Sequence, residues 1–260
     1  MVLKGQYLER SVTVRSGSLH LDALFHRGTR EPPCLIASPH PAMGGSMVAP
    51  AIAELAWALT RAGHPTLRFD YRGVGASQGE SSHLEGSLGG GARRLDGAAL
   101  SLEREDLLAA ADQLRASAGR PGDGLCAVGY SFGAAVVLSA ADDPRISSLI
   151  LVAPPTALAD FSALARVKKP TLVLCAHHDA LCDRGSLQLG PEALLEVIAH
   201  SDHSFRRGLT ELGRAAAAFL RKPGEEPVVE PQAPDEPDAL SLQDLELPEG
   251  DEPPLELDDS

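Results

Sequence analysis

The chain has 260 residues, 43% of them hydrophobic but only 4% aromatic, enough for one domain packed by aliphatic side chains with something left over. Its net charge of −13 is local: Pro223–Ser260 holds fourteen Asp or Glu and no Lys or Arg, leaving 22 acidic against 23 basic residues elsewhere. A near-neutral body excludes the basic footprint of a nucleic-acid binder, and no apolar run approaches the ~18 residues of a membrane span.

Met1–Arg10 shows neither a long apolar stretch nor a small-residue cleavage site. No signal peptide is read there, and a cytoplasmic location is expected. Residues 10–25 alternate around Ser16-Gly17-Ser18, the pattern of an antiparallel hairpin. Cys34–Ala37 is a short buried strand running into Ser38-Pro39-His40-Pro41. Ser46 is expected to cap a helix over 47–62, with Ile52, Leu55 and Leu59 at helical spacing and Gly63 as its stop. Strands are expected at 66–70, 125–128, 148–152, 171–175 and 193–198. Helices are expected at 103–118, 132–140 and 206–220. Continuous apolar strands alternating with helices predict an α/β fold: a mostly parallel central sheet of about eight strands with helices on both faces. The Gly- and Ser-rich stretch 81–97 reads as a flexible surface loop, and 154–170 leaves little room for a lid. The domain is therefore expected over 1–222, followed by a disordered, acidic, Pro-rich tail over 223–260.

Gly129-Tyr130-Ser131-Phe132-Gly133 fits G-x-S-x-G. An apolar strand enters it and an Ala-rich helix leaves it. A nucleophile on so sharp a turn needs small neighbours, and the helix N-terminus aims N–H groups and partial positive charge at the site. Gly75-Ala76-Ser77-Gln78-Gly79 has the same pattern without the strand or the helix, and reads as a loop. Serine needs a neighbouring base, and in this strand–turn–helix context the chain order is Ser, acid, His. His203, in Asp202-His203-Ser204-Phe205 after the last strand, is the favoured base, with His200 as its rival. Asp179, just after the strand 171–175, is the favoured acid, with Asp183 and Asp160 as alternatives; Asp202 reads as a loop carboxylate. The N–H of Phe132 is one expected oxyanion donor and that of Ala42 or Met43 the other, since Pro41 has none. His40 reads as a structural loop residue.

These residues resemble the α/β-hydrolase superfamily over roughly 10–221, and within it the small, lidless bacterial serine hydrolases. His40-Pro41 followed by Gly44-Gly45, Arg72-Gly73-Val74-Gly75-Ala76-Ser77, the Ser131 elbow and Asp202-His203-Ser204-Phe205 carry the resemblance. It implies a triad of Ser131, Asp179 and His203, and structural roles for Arg72 and Ser77. The segment 81–97 is longer than the pattern, and Ala176-His177-His178 stands where the pattern often has glycine. The implied activity is cleavage of a small-molecule acyl ester, or a thioester or amide, through an acyl-enzyme. No cofactor or metal is expected: Cys175, His177, His178, Asp179, Cys182 and Asp183 match no zinc spacing. Cys34, Cys126 and Cys175 read as small buried hydrophobes with free thiols. The alternating leucines of 239–247 leave a second expectation, a protein partner for the acidic tail of a non-catalytic protein with this fold.

Overall fold

The computed structural model describes residues 8–81, 95, 99–119 and 124–221. The chain divides into two units, Met1–Glu226 and Pro227–Ser260. The expected tail over 223–260, and all of the loop over 81–97 except Ser81 and Leu95, lie outside the described residues.

Among the described residues, eight strands form one sheet: β1 (Arg10–Ser16), β2 (Leu19–His26), β3 (Cys34–Ala37), β4 (Thr66–Phe69), β5 (Leu125–Tyr130), β6 (Ile146–Val152), β7 (Thr171–His178) and β8 (Ala193–Asp202). Their spatial order is β1-β2-β4-β3-β5-β6-β7-β8. The first two pairings, β1 with β2 and β2 with β4, are antiparallel; the others are parallel. Among the described residues, four α-helices flank the sheet: α1 (Pro50–Arg61), α2 (Ser101–Ser117), α3 (Phe132–Ser139) and α4 (Leu209–Phe219). Among the described residues, no helix is long and apolar enough to cross a membrane.

The unbroken apolar runs of the central strands follow from burial on both faces. Leu35, Ala37, Ala127, Leu149 and Leu151 point into one core with Leu107 and Leu114 of α2 and Val136 of α3. Their neighbours Cys34, Ile36, Val128, Ile150 and Val152 point into the other, against Ile52 and Leu55 of α1 and Leu212 and Ala216 of α4. Each fully buried Leu, Ile or Val among them contributes about 1.5–3 kcal/mol.

Several expected boundaries shift, and three of these differences have a clear local setting. First, α1 begins at Pro50 rather than residue 47, and Ser46 does not cap it: the cap position is Ala49, with no side-chain hydrogen bond. Met47 is diverted because its N–H donates to Asp70 Oδ1 (2.6 Å) and its carbonyl accepts from Arg68 Nη1 (2.7 Å). Second, α4 begins at Leu209 rather than 206, because Gly208 precedes it in the left-handed region (φ 87°). Third, β7 and β8 run on to His178 and Asp202, pairing with each other past an irregularity between Ala176 and His178. These extensions are partly exposed, so a reading keyed to apolar runs stops short of them.

The strand order reverses between β3 and β5, which lie side by side with Ala37 opposite Gly129. In open α/β sheets the crevice beyond the carboxyl ends of strands at such a reversal holds ligands. The turns 38–47, 129–133, 176–183 and 202–205 all leave carboxyl ends of parallel strands or their immediate extensions.

Candidate active site

Ser131 sits between β5 and α3 with φ 54° and ψ −117°, a strained conformation for a residue with a Cβ and one that costs about 1–3 kcal/mol. Its N–H donates to Val152 O of the neighbouring strand (2.8 Å), which pins the bend to the sheet. The flanking glycines are required by space. A Cβ on Gly129 would lie 2.2 Å from Gly133 O, and a Cβ on Gly133 would lie 2.4 Å from Ala37 O. The second contact also shows how closely the start of α3 packs on the end of β3.

The structure brings together the three side chains favoured by the sequence. Ser131 Oγ lies 2.9 Å from His203 Nε2. His203 Nδ1 lies 2.8 and 2.9 Å from the two oxygens of Asp179. The Asp179 side chain is 1% exposed and that of His203 19%, so the carboxylate is sealed while the imidazole keeps an open edge. Asp179 Oδ1 also accepts from Leu181 N–H (2.9 Å), which fixes the acid's own turn.

The rival residues are engaged elsewhere. Asp183 accepts from Gly185 N–H and caps a short 3-10 turn, as a helix-capping carboxylate would. Asp160 accepts from both the N–H and the hydroxyl of Ser162. Asp202 accepts from Ser204 N–H (3.0 Å) and so shapes the turn that carries His203. His200 lies within β8 itself, at φ 56° and exposed, not in the loop beyond it.

The turn 40–43 stands beside the elbow, with the His40 and Phe132 rings edge to face at 4.8 Å. Pro41–Met43 form a 3-10 turn. Ala42 N–H donates to His40 Nδ1 and Met43 N–H to His40 O, both at 3.1 Å. His40 therefore has the structural place expected of it, and both expected donors in this loop currently bond to it. Phe132 is the first residue of α3.

One positioning residue escaped the sequence reading. The Tyr130 hydroxyl donates to His203 O (2.8 Å), tying the elbow to the loop of the imidazole across 73 positions of chain. Burial, with Asp179 and Asp202 adding like-sign repulsion, pushes this phenol up to about 12, so it remains a donor throughout the neutral range. Phe205, wholly buried among the residues of the α1–α4 face, sets its ring edge to face with that of Tyr130, centroids 6.1 Å apart. An aromatic next to the serine in G-x-S-x-G was the available signal, but nothing in its spacing pointed to a distant carbonyl.

An open, mostly parallel sheet with a serine at a strand–helix bend, hydrogen-bonded to a histidine that in turn meets a buried carboxylate, is the arrangement of an α/β serine hydrolase. The chain has the α/β-hydrolase fold and is similar to lidless α/β serine hydrolases. Residues 43–163 match the family model described as serine aminopeptidase, S33. No curated protein matches the sequence. Among solved structures, a lidless α/β serine hydrolase from Xanthomonas campestris is 28% identical over 82% of this chain and 93% of its own, with a TM-score of 0.66. An α/β serine hydrolase homologue from Coxiella burnetii is 25% identical over 85% of this chain and 100% of its own, with a TM-score of 0.65. An esterase from Pyrococcus furiosus, 15% identical over 82% of this chain and 92% of its own with a TM-score of 0.65, shares the fold.

Proposed function

We propose that the protein is a serine hydrolase cleaving small acyl esters through a Ser131–His203–Asp179 triad and an acyl-enzyme. The observation that carries this reading is the unbroken hydrogen-bonded chain from Ser131 Oγ through both ring nitrogens of His203 to Asp179. Ser131 Oγ attacks the carbonyl carbon as His203 Nε2 takes its proton, and the buried Asp179 stabilises the imidazolium and fixes its orientation. His203 then protonates the leaving alcohol. A water enters, gives its proton to the same nitrogen and releases the acid.

The developing oxyanion is bound by Phe132 N–H and by a donor from the 42–43 turn. Ala42 is the better second donor. Its present acceptor is a side-chain nitrogen that can rotate away, whereas the Met43 bond closes the backbone turn itself. Each donor of this kind contributes about 3–4 kcal/mol to the transition state.

A fluorophosphonate probe tests the nucleophile. The native protein should be labelled and Ser131→Ala should not; labelling that survives this substitution overturns the assignment. p-Nitrophenyl esters of rising chain length then define the acyl group. Thioesters and amino-acid p-nitroanilides belong in the same panel, because the matching family model bears the name of an aminopeptidase.

A further inference from the structure

Two of the four cysteines flank the turn of the acid. Cys175 is near the carboxyl end of β7 and Cys182 follows Asp179 by three residues. Their sulfurs lie 3.6 Å apart, and both thiols are free and buried, at 0% and 7% exposure respectively. The contact makes them unlike. The hydrogen bond from Cys182, helped by the nearby Arg184, draws the Cys175 thiol down against the effect of burial. Cys182 is pushed up by the same contact and by its own burial. One member thus leans towards the nucleophilic thiolate and the other keeps its proton.

The segment between them is the triad's acid turn. Asp179 holds His203 with both oxygens and Leu181 N–H with Oδ1. Cys175 is anchored in a strand paired on both sides, opposite Val197 in β8, whereas Cys182 lies in irregular backbone. A disulfide requires a sulfur separation of about 2.05 Å. Closing the gap therefore draws in Leu181 and Cys182, and with them the N–H that holds the carboxylate.

We propose that Cys175 and Cys182 form a reversible, hydroperoxide-driven disulfide that shifts Asp179 from His203 and turns the hydrolase down. The regulatory part rests on the triad reading above. In the chemistry, the Cys175 thiolate attacks one peroxide oxygen, the O–O bond breaks, and the alcohol (or water, from hydrogen peroxide) leaves with a proton. The Cys182 sulfur then attacks the resulting sulfenic acid, the S–O bond breaks, and water leaves with the Cys182 proton. Two thiols lose two electrons to one peroxide. A dithiol reductant reverses the bridge by exchange.

The test treats the full-length protein with hydrogen peroxide, alkylates remaining thiols and digests with trypsin. Both cysteines fall in the peptide Lys169–Arg184. It should appear unalkylated and lighter by two hydrogens than its reduced form. Ester turnover and fluorophosphonate labelling should fall at least ~10-fold, since misplacing a catalytic group by about an ångström has effects of that order or larger, and dithiothreitol should restore both. Cys182→Ala and, separately, Cys175→Ala should keep the starting turnover and lose the peroxide response. A peptide that stays doubly alkylated overturns the proposal, as does a bridged peptide with undiminished turnover. Absence of labelling in the fully reduced protein strikes instead at the hydrolase reading, independently of what the peptide mass shows.

Discussion

The chain contains two G-x-S-x-G sequences, and the structure uses them in opposite ways. At Gly129–Gly133 the serine is forced to φ 54° and its hydroxyl meets an imidazole. At Gly75–Gly79 the hydroxyl is consumed by the fold: Ser77 Oγ donates to Asp70 O (2.8 Å) and accepts from Asp22 N–H (2.9 Å), which laces the turn to β2. Arg72, at the head of the same turn, makes a forked ion pair with the buried Asp106 and a bond to Ser16 Oγ. One hydroxyl faces an imidazole and the other is fully engaged by backbone groups. The difference lies in what enters and leaves each loop, since the five-residue pattern is common to both.

The largest expected effect separates the two serines directly. Ser131→Ala should lower kcat/KM by roughly 10³- to 10⁶-fold and change stability by no more than about 1 kcal/mol, the net worth of one hydrogen bond. Ser77→Ala should reverse the profile, losing about 1–3 kcal/mol because Asp22 N–H and Asp70 O are left unpartnered in a buried place. Hydrolysis rates alongside urea denaturation of both variants measure this, and a Ser77 variant that is stable but inactive breaks the comparison.

The next effect concerns the base. His203→Ala should cost at least ~10³-fold in kcat, because the serine loses its proton acceptor. His200→Ala should change kcat by no more than about threefold, as His200 is an exposed strand residue. Comparable losses in both variants would transfer the role of base and dissolve the contrast between the two serine loops.

Much of this was legible in the sequence because it depends on local pattern. The elbow shows in Leu125–Val128 running into Gly129 and Ala134–Ala140 running out; six strands show in their apolar runs and the first two in the alternation of residues 10–25. Asp202-His203-Ser204-Phe205 is legible as a turn carrying the proposed base. Choosing Asp179 over Asp183 and Asp160 from position alone stayed open, since each is a carboxylate in a loop after a strand. The structure separates them by what they bind: two serve backbone caps, and Asp179 binds the imidazole. Contacts across long chain separations left no periodic trace. Tyr130 reaching His203 O, and Arg68 and Asp70 gripping Met47 from both sides, depend on tertiary placement alone.

Tyr130 offers a smaller and sharper test of how the elbow is held. Tyr130→Phe removes one buried hydrogen bond, worth about 1 kcal/mol, and should lower kcat about 3- to 10-fold with little change in KM, because it loosens the base and leaves substrate contacts alone. The ester pH–rate profile should keep its shape, as the phenol stays protonated to about 12. An equal rise in KM would mean that Tyr130 meets the substrate instead of positioning the base.

The smallest effect belongs to the second loop and gives it a pH signature. Asp70 is held above the ordinary carboxylate range chiefly by burial and secondarily by Asp22, while Met47 N–H and Arg68 oppose the shift. The folded protein therefore binds this proton more tightly than the unfolded chain does. The stabilisation is complete below about pH 3.9, the unfolded value, and is lost as pH rises through the folded value. Asp70→Asn keeps an oxygen for Met47 N–H and has no charge to desolvate. Its unfolding free energy should fall less than that of the wild type between pH 4 and neutrality and be at least equal to it at pH 7, with hydrolysis little changed. Urea titrations across that window measure the two slopes. Parallel slopes would show that Asp70 does not titrate differently on folding, and the turn around Ser77 would then hold its carboxylate without electrostatic cost.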